Sequence, residues 1–156
     1  MSQSIQFESF IACSLQEIWD FHTSVEALVV LTPPPTQIKI IGQNLEVRDG
    51  ALHELSIKKG PIPLVWNARI SEVSPATLSA ARAGFVDTAE KSPFHYWRHQ
   101  HEFVVVEGGV LLLDWVQYAL PMGKLGNLVA GKFVEKDIIS MFEFRHFVTT
   151  EALSKA

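Results

Sequence analysis

The chain has 156 residues, of which 47% are apolar and 19% are charged, and its formal net charge is −4 at neutral pH. A chain of this length forms one domain, here residues 1–156, and buries about two-thirds of the surface that its unfolded form exposes. The acidic balance and the absence of any basic cluster larger than Lys58-Lys59 argue against a nucleic-acid partner.

The cysteine count and the length of the apolar runs exclude further classes. With one cysteine, Cys13, an intrachain disulfide and a cysteine-rich zinc site are excluded. No apolar run approaches the roughly 20 residues that a membrane-spanning helix needs, and the first ten residues lack the basic and apolar regions of a secretion signal. We therefore expect a soluble, uncleaved cytoplasmic protein without stable membrane insertion, whose oligomeric state is open.

The N-terminal part of the chain predicts one strand and two short helices. Residues 5–12 form the strand, and Ser14-Leu15-Gln16-Glu17 has the S-x-x-E spacing of a helix capping box. The same spacing at Thr23–Glu26 predicts a second helix over residues 25–31, which the prolines at 33–35 terminate.

Six segments rich in β-forming residues follow, separated by glycine, proline and aspartate. They are residues 37–41, 51–58, 64–73, 77–86, 94–106 and 110–120. Their hairpin-length connections predict an antiparallel sheet. We expect residues 87–93 to form a loop in which Asp87 starts a turn, because an aspartate side chain can bond its own backbone two residues on.

A helical period replaces the alternation from residue 125 to about residue 153. Its predicted apolar face contains Val134, Met141, Phe144, Phe147 and Val148. The whole order predicts an α+β domain, in which a curved seven-stranded antiparallel sheet wraps around a long C-terminal helix and two short helices follow the first strand. A ligand cavity is expected between sheet and helix.

The segment Phe94–Phe103, FHYWRHQHEF, has a distinctive pattern. With a period of two, three imidazoles and two aromatic rings share one face of a strand, namely His95, Trp97, His99, His101 and Phe103. An unpaired buried polar group costs roughly 1–3 kcal/mol. The face is therefore either a buried polar network or the wall of a cavity that contains polar groups.

His99 and His101 have the spacing of a metal-chelating pair, since their Cα atoms lie about 6.5–7 Å apart on one face of a strand. With Asp114 from the next strand they would suit zinc or iron. The alternative is an imidazole pair within a hydrogen-bonded network, and it is favoured because no fourth ligand has a recognisable spacing. We therefore predict no metal and no cofactor.

Asp114 and Tyr118 share a face of the last strand and reach the same surface as the two histidines. His99, His101, Asp114 and Tyr118 are therefore the candidate catalytic groups, able to move a proton beside a carbonyl and to protonate a leaving oxygen. A satisfied structural network is the competing interpretation. Arg145 has three possible roles: to neutralise Asp114 or Asp87, to bind a ligand carboxylate, or to extend to water.

Several motifs carry a family resemblance. They are Phe85-x-Asp87, Pro93-Phe94, Trp97-x-His99-x-His101-x-Phe103, Gly109, Asp114-x-Val116-x-Tyr118, Pro121-x-Gly123-x-Leu125-Gly126 and Phe142-x-x-Arg145. With the element order, they resemble an uncharacterised ligand-binding branch of the SRPBCC superfamily, the helix-grip fold of StAR-related lipid-transfer domains, plant pathogenesis-related allergens and polyketide cyclases. One departure is Gly109-Val110, where the pattern has Gly-Thr.

The resemblance implies binding of an apolar or amphipathic small molecule, such as a lipid, isoprenoid or polyketide. The expected ligand-binding residues are Trp97, His99, His101, Phe103, Asp114, Tyr118, Met141 and Arg145. Two alternatives stay open, because one fold hosts many functions. One is an enzyme of the cyclase or dehydratase type, and the other is an interaction module with a filled pocket and an exposed apolar patch.

Overall fold

A computed structural model describes residues 2–43 and 45–154 of the chain. The strands are β1 (Gln3–Ile11), β2 (Gln37–Ile40), β3 (Leu52–Lys58), β4 (Pro63–Ser74), β5 (Arg82–Lys91), β6 (Tyr96–Val106) and β7 (Gly109–Ala119). The helices are α1 (Leu15–Thr23), α2 (Val25–Val30) and α3 (Gly123–Leu153). The predicted order of elements and the α+β class are confirmed.

The seven strands form one antiparallel sheet in the order β1-β7-β6-β5-β4-β3-β2. Strands β2 to β7 lie side by side in the order of the chain, and β1 pairs with β7 to form one edge of the sheet. The pairing of β4 with β5 shifts register at Asn67/Ala68 and again between Ser71 and Ser74. Such bulges bend a strand and increase its twist, which curves the sheet around its inner face.

The predicted capping box at the start of α1 is present. The backbone N–H of Glu17 donates to Ser14 Oγ at 3.2 Å, and the Glu17 carboxylate accepts from the backbone N–H of Ser14 at 2.8 Å. The N-cap of α2 is Ser24, one residue after the predicted Thr23, and its Oγ accepts from the backbone N–H of Ala27 at 3.1 Å. Two short helices can therefore follow β1 directly and return the chain to the sheet.

The position of β5 corrects a prediction. Residues 77–81 are not strand but form a turn, in which the Ala80 N–H donates to the Thr77 carbonyl. The strand instead runs from Arg82 to Lys91, through most of the predicted loop. The segment after Val86 is polar and poor in β-formers, yet its backbone pairs with β4 and β6 on either side. Asp87 is consequently a strand residue rather than a turn residue.

Helix α3 begins with a sharp change of direction, because Met122 and Gly123 both have left-handed backbone angles, with φ of 64° and 53°. Its buried face consists of Gly131, Ile138, Phe142, His146 and Thr149. Phe147 was predicted on the apolar face but is 63% exposed. The helix is rotated relative to the prediction, so that His146 faces the sheet instead of Phe147. His146 is held there by hydrogen bonds to Ser9 of β1 and Asp114 of β7.

The second half of α3 packs over the β1 edge of the sheet, where Phe142 stacks on Phe7 with ring centroids 4.8 Å apart. The first half carries an exposed apolar strip formed by Leu125, Leu128, Val129 and Phe133. Within the described residues, no helix combines the length and apolar character that crossing a membrane requires.

Candidate ligand-binding site

A cavity of about 520 Å³ lies between the inner face of the sheet and α3. Its wall includes side chains of α1, α2, the proline segment 33–35, strands β2 to β7 and the middle of α3. Most of the wall is apolar or aromatic, with Leu31, Ile38, Leu55, Trp66, Ala68, Ile70, Phe85, Phe94, Trp97, Ile138 and Met141 among the lining residues. The aromatic part is a packed group, since Trp66 lies edge-on to Trp97 with centroids 5.3 Å apart.

One end of the cavity is close to solvent. Pro34, Pro35 and Leu64 line it and are exposed. Across this end an ion pair joins Lys59, in the turn between β3 and β4, to Asp137 on α3. Both partners are about half exposed, so the contact contributes little to stability. The pair spans the gap between the sheet and the helix at this end.

The opposite end is polar because two aspartates and two histidines alternate on three neighbouring strands. The register places Asp87 of β5 opposite His99 of β6, and His101 of β6 opposite Asp114 of β7. His99 Nε2 lies 2.6 Å from Asp114 Oδ1, and His99 Nδ1 lies 3.2 Å from Asp87 Oδ2. Asp87 Oδ2 also accepts from His101 Nε2 at 2.7 Å. We call these four residues the Asp-His cluster.

A second hydrogen-bond chain connects the Asp-His cluster to α3 and β1. His146 Nε2 lies 2.7 Å from Asp114 Oδ2, and His146 Nδ1 lies 2.7 Å from Ser9 Oγ. The connectivity is that of a Ser-His-Asp triad, but neither Ser9 nor His146 lines the cavity. The chain therefore fastens α3 to the sheet and orients Asp114 from behind.

Burial and the neighbouring charges shift the pKa values of His99 and of the two aspartates in opposite directions. Burial alone lowers the pKa of His99, but the neighbouring Asp87 and Asp114 carboxylates outweigh it and raise that pKa to about 9. Burial also lowers the pKa of His101, and the charge on His99 lowers it further. Burial would raise the pKa of each aspartate, yet the His99 charge and the imidazole hydrogen bonds hold both well below the ordinary value. At neutral pH the cluster thus contains two carboxylates, one imidazolium and one neutral imidazole.

Arg145 of α3 and His22 of α1 complete the polar end. Burial lowers the pKa of Arg145, opposed by the charges of Asp114 and Asp87. Its Nε has no hydrogen-bond partner among the residues described, and the guanidinium lies over the Phe142 ring at 5.3 Å. Burial lowers the pKa of His22 to about 4, and His22 Nδ1 is 3.0 Å from the Ile18 carbonyl oxygen.

The structure brings most of the sequence-predicted site residues together. Those that line the cavity are Trp97, His99, His101, Asp114, Met141 and Arg145. Phe103 lies elsewhere, fully buried beneath α1 against Trp19 and His22. Tyr118 is 1% exposed in the core cluster around Phe142, and its hydroxyl does not reach the cavity.

Sequence reasoning missed Asp87, His22 and His146. Asp87 was read as a turn residue, although it has the same parity as the apolar Phe85 and Ala83 and so shares their face of β5. His22 is four residues after the buried Ile18, and His146 is four after the buried Phe142. Helical spacing from a buried neighbour was the signal available in both cases.

No family model matches the chain, and no curated protein matches it. Solved structures do resemble it along nearly its whole length. Protein CV1439 of Chromobacterium violaceum superposes with a TM-score of 0.71 at 11% identity, covering 99% of both chains. The chain has the helix-grip fold.

Two further helix-grip structures support that assignment. Ara h 8.0201 gives a TM-score of 0.65 at 13% identity, covering 96% of this chain and 98% of its own. Norcoclaurine synthase of Thalictrum flavum, in complex with dopamine and hydroxybenzaldehyde, gives 0.63 at 14% identity, covering 99% of this chain and 90% of its own. Identities this low establish the shared helix-grip fold, while the activity depends on each protein's own cavity.

Proposed function

We propose that the chain is one ligand-binding domain that holds an apolar or amphipathic small molecule, of lipid, isoprenoid or polyketide type, between the sheet and α3. The observation that carries the proposal is the cavity, whose volume of about 520 Å³ falls in the range of roughly 300–1,000 Å³ usual for small-molecule sites. Each buried CH₂ group of a ligand contributes about 0.8 kcal/mol, so the apolar wall supplies the affinity.

The two ends of the cavity orient an amphipathic ligand. The apolar part lies against Trp97 and Met141, and the polar group faces the Asp-His cluster and Arg145. Because the Arg145 Nε has no hydrogen-bond partner among the described residues, an oxygen of the ligand supplies the acceptor that it lacks. The preferred ligand therefore carries a carbonyl, carboxylate or phenolic oxygen at one end.

Native mass spectrometry and thermal unfolding with a panel of fatty acids, isoprenoids and polyketides test the proposal. We expect a mass shift for one ligand per chain and a rise in Tm that follows ligand concentration. Met141→Trp fills the cavity and abolishes both effects, whereas Val129→Trp, on the exposed strip of the same helix, preserves them. A wild-type protein with neither a mass shift nor a Tm shift would refute ligand binding.

A second candidate is an enzyme of the cyclase or dehydratase type, favoured by the ionisable groups that face the cavity. The Tyr118 hydroxyl does not line the cavity, so the proton donor in this scheme is the His99 imidazolium and the acceptor is a carboxylate or His101. One helix-grip neighbour, norcoclaurine synthase, holds two aromatic compounds. Replacing both His99 and His101 by Asn abolishes turnover of a polyketide probe while ligand binding persists; unchanged turnover rejects the acid-base role.

The interaction-module alternative required a filled pocket. The exposed apolar strip on α3 fits that alternative, but the cavity is open space rather than packed side chains. Size-exclusion chromatography of the wild type and of Phe133→Ser, which interrupts the strip, measures whether the strip joins two copies of the chain.

The single cysteine fits a protein of the reducing cytoplasm. Cell fractionation tests this location.

A further inference from the structure

Three potential metal-ligating atoms converge at the polar end of the cavity. Asp87, His99 and His101 each offer one ligand atom, and these three atoms all lie within 4.8 Å of one another. Asp87 Oδ2 is 3.2 Å from the His99 nitrogen and 2.7 Å from the His101 nitrogen. Ligand atoms held about 2.0–2.2 Å from one ion lie at comparable separations, so small side-chain shifts suffice to place an ion among them.

The donor set is chemically selective. Two imidazoles and one carboxylate suit divalent first-row transition metals, whereas calcium and magnesium prefer sites built from oxygen alone. All three residues come from adjacent strands of a rigid sheet and all line the cavity. An ion bound there keeps its remaining coordination positions open toward the space in which a ligand would sit, as in 2-His-1-carboxylate sites.

Neighbouring side chains orient the proposed ligands. His99 binds the ion through Nδ1 while its Nε2 donates to Asp114 Oδ1 at 2.6 Å, which is the carboxylate-histidine arrangement that fixes the orientation of a metal ligand. Asp114 is in turn held by His146 through its other oxygen. From the sequence, Asp114 was the possible third ligand, and a hydrogen-bonded network without a metal was favoured. In the structure Asp114 bonds the far nitrogen of His99, and Asp87 is the carboxylate beside the other His99 nitrogen and His101.

The second ring nitrogen of His101, Nδ1, gives independent support for a metal ion at this position. This nitrogen is buried and has no hydrogen-bond partner among the residues described, although Asp114 Oδ1 lies 3.7 Å away. While Nε2 donates to Asp87, Nδ1 is an unsatisfied acceptor. If Nε2 instead binds an ion, the proton resides on Nδ1, directed at Asp114, and a small rotation satisfies it.

We propose that Asp87, His99 and His101 form a binding site for a divalent transition metal ion, with zinc as the probe, at the closed end of the cavity. The ion replaces the direct Asp87 contacts of both imidazoles. It would give the bound ligand's terminal oxygen a Lewis-acidic partner beside Arg145.

Metal-free protein, prepared with a chelator and then dialysed, is titrated with Zn²⁺ by calorimetry and with Co²⁺ by visible absorption. We expect one ion per chain, and X-ray absorption of the zinc form showing two imidazoles at about 2.0–2.1 Å. Asp87→Asn and His101→Gln weaken binding at least tenfold, whereas His95→Gln, an exposed histidine before β6, leaves it unchanged. Circular dichroism verifies that each variant is folded.

If the folded wild-type protein does not bind one zinc ion per chain, the proposed metal site is wrong, whatever the variants show. Zinc binding that His95→Gln abolishes, or that Asp87→Asn leaves intact, overturns the assignment of ligands. The ligand-binding panel is run on the metal-free protein, so failure of the metal site and failure of small-molecule binding are separate results.

Discussion

His99 Nε2 and Asp114 Oδ1 lie 2.6 Å apart across the β6-β7 pair, although the two residues are not directly opposite in the sheet. His99 faces Val116 in the register, and Asp114 faces His101. The contact is therefore diagonal, and it leaves the second oxygen of Asp114 for His146 of α3. One buried carboxylate thus joins the sheet to the terminal helix and holds the charged imidazole that faces the cavity.

Asp114→Asn tests the importance of this contact. Asparagine is uncharged, so the His99 imidazolium loses one of its two buried carboxylate partners, and only the amide oxygen of the new side chain can accept a hydrogen bond. Because breaking a buried charge pair costs about 3–5 kcal/mol, we expect the free energy of unfolding in urea to fall by that amount. As a control, Glu72→Gln interrupts the exposed pair with Arg98 and changes stability by less than about 1 kcal/mol.

His22 makes the protein less stable in acid. Its pKa is about 4 in the folded state, below the value of 6.5 that it has when exposed. The unfolded chain therefore binds a proton between pH 6.5 and 4 that the folded chain does not, so stability is full above pH 6.5 and falls as the pH drops.

His22→Gln removes this dependence. We expect wild-type stability to decrease by roughly 3 kcal/mol more than that of the variant between pH 6.5 and 4, measured by urea unfolding. His95→Gln, at an exposed position, follows the wild-type profile. If the free energies of unfolding of the wild type and of His22→Gln changed equally with pH, His22 would not be buried and neutral.

Tyr118→Phe, measured by urea unfolding, tests whether the buried Tyr118 hydroxyl has a hydrogen-bond partner. The hydroxyl is buried without a hydrogen-bond partner among the described residues, and burial raises its pKa. Removing an unsatisfied buried polar group relieves a penalty of about 1–3 kcal/mol, so we expect stability to stay constant or to increase. Tyr96→Phe, at a position 38% exposed, is the control. A clear loss of stability only in Tyr118→Phe would reveal a hydroxyl contact.

Arg145→Met tests how the cavity selects a polar group. Arg145 is half-buried, and its Nε is buried without a hydrogen-bond partner among the described residues, so methionine, with a similar apolar stem, is expected to preserve or raise stability. Decanoic acid and 1-decanol are compared by calorimetry. The variant's preference for the acid should fall at least tenfold, whereas Arg82→Met, at the exposed first residue of β5, keeps it. An unchanged ratio would place the carboxylate away from Arg145.

The alternation in Phe94–Phe103 correctly put Trp97, His99 and His101 on the inner face of β6, and the parity of β7 did the same for Asp114. Local spacing determines these placements, because side chains in a strand alternate between two faces whatever lies beside it. The segment after Val86 was missed because its strand character comes from pairing with β4 and β6 rather than from its own residues.

The sequence by itself determined the order of elements, the antiparallel sheet with its terminal helix, and an inward row of imidazoles. Only the tertiary structure decided which groups those imidazoles meet. Asp87 reaches His99 through the β5-β6 register, and Ser9 reaches His146 across 137 positions of the chain. Periodicity specifies the face that a side chain occupies. Its partners depend on strand register and helical phase, which are set by packing the whole chain around one cavity.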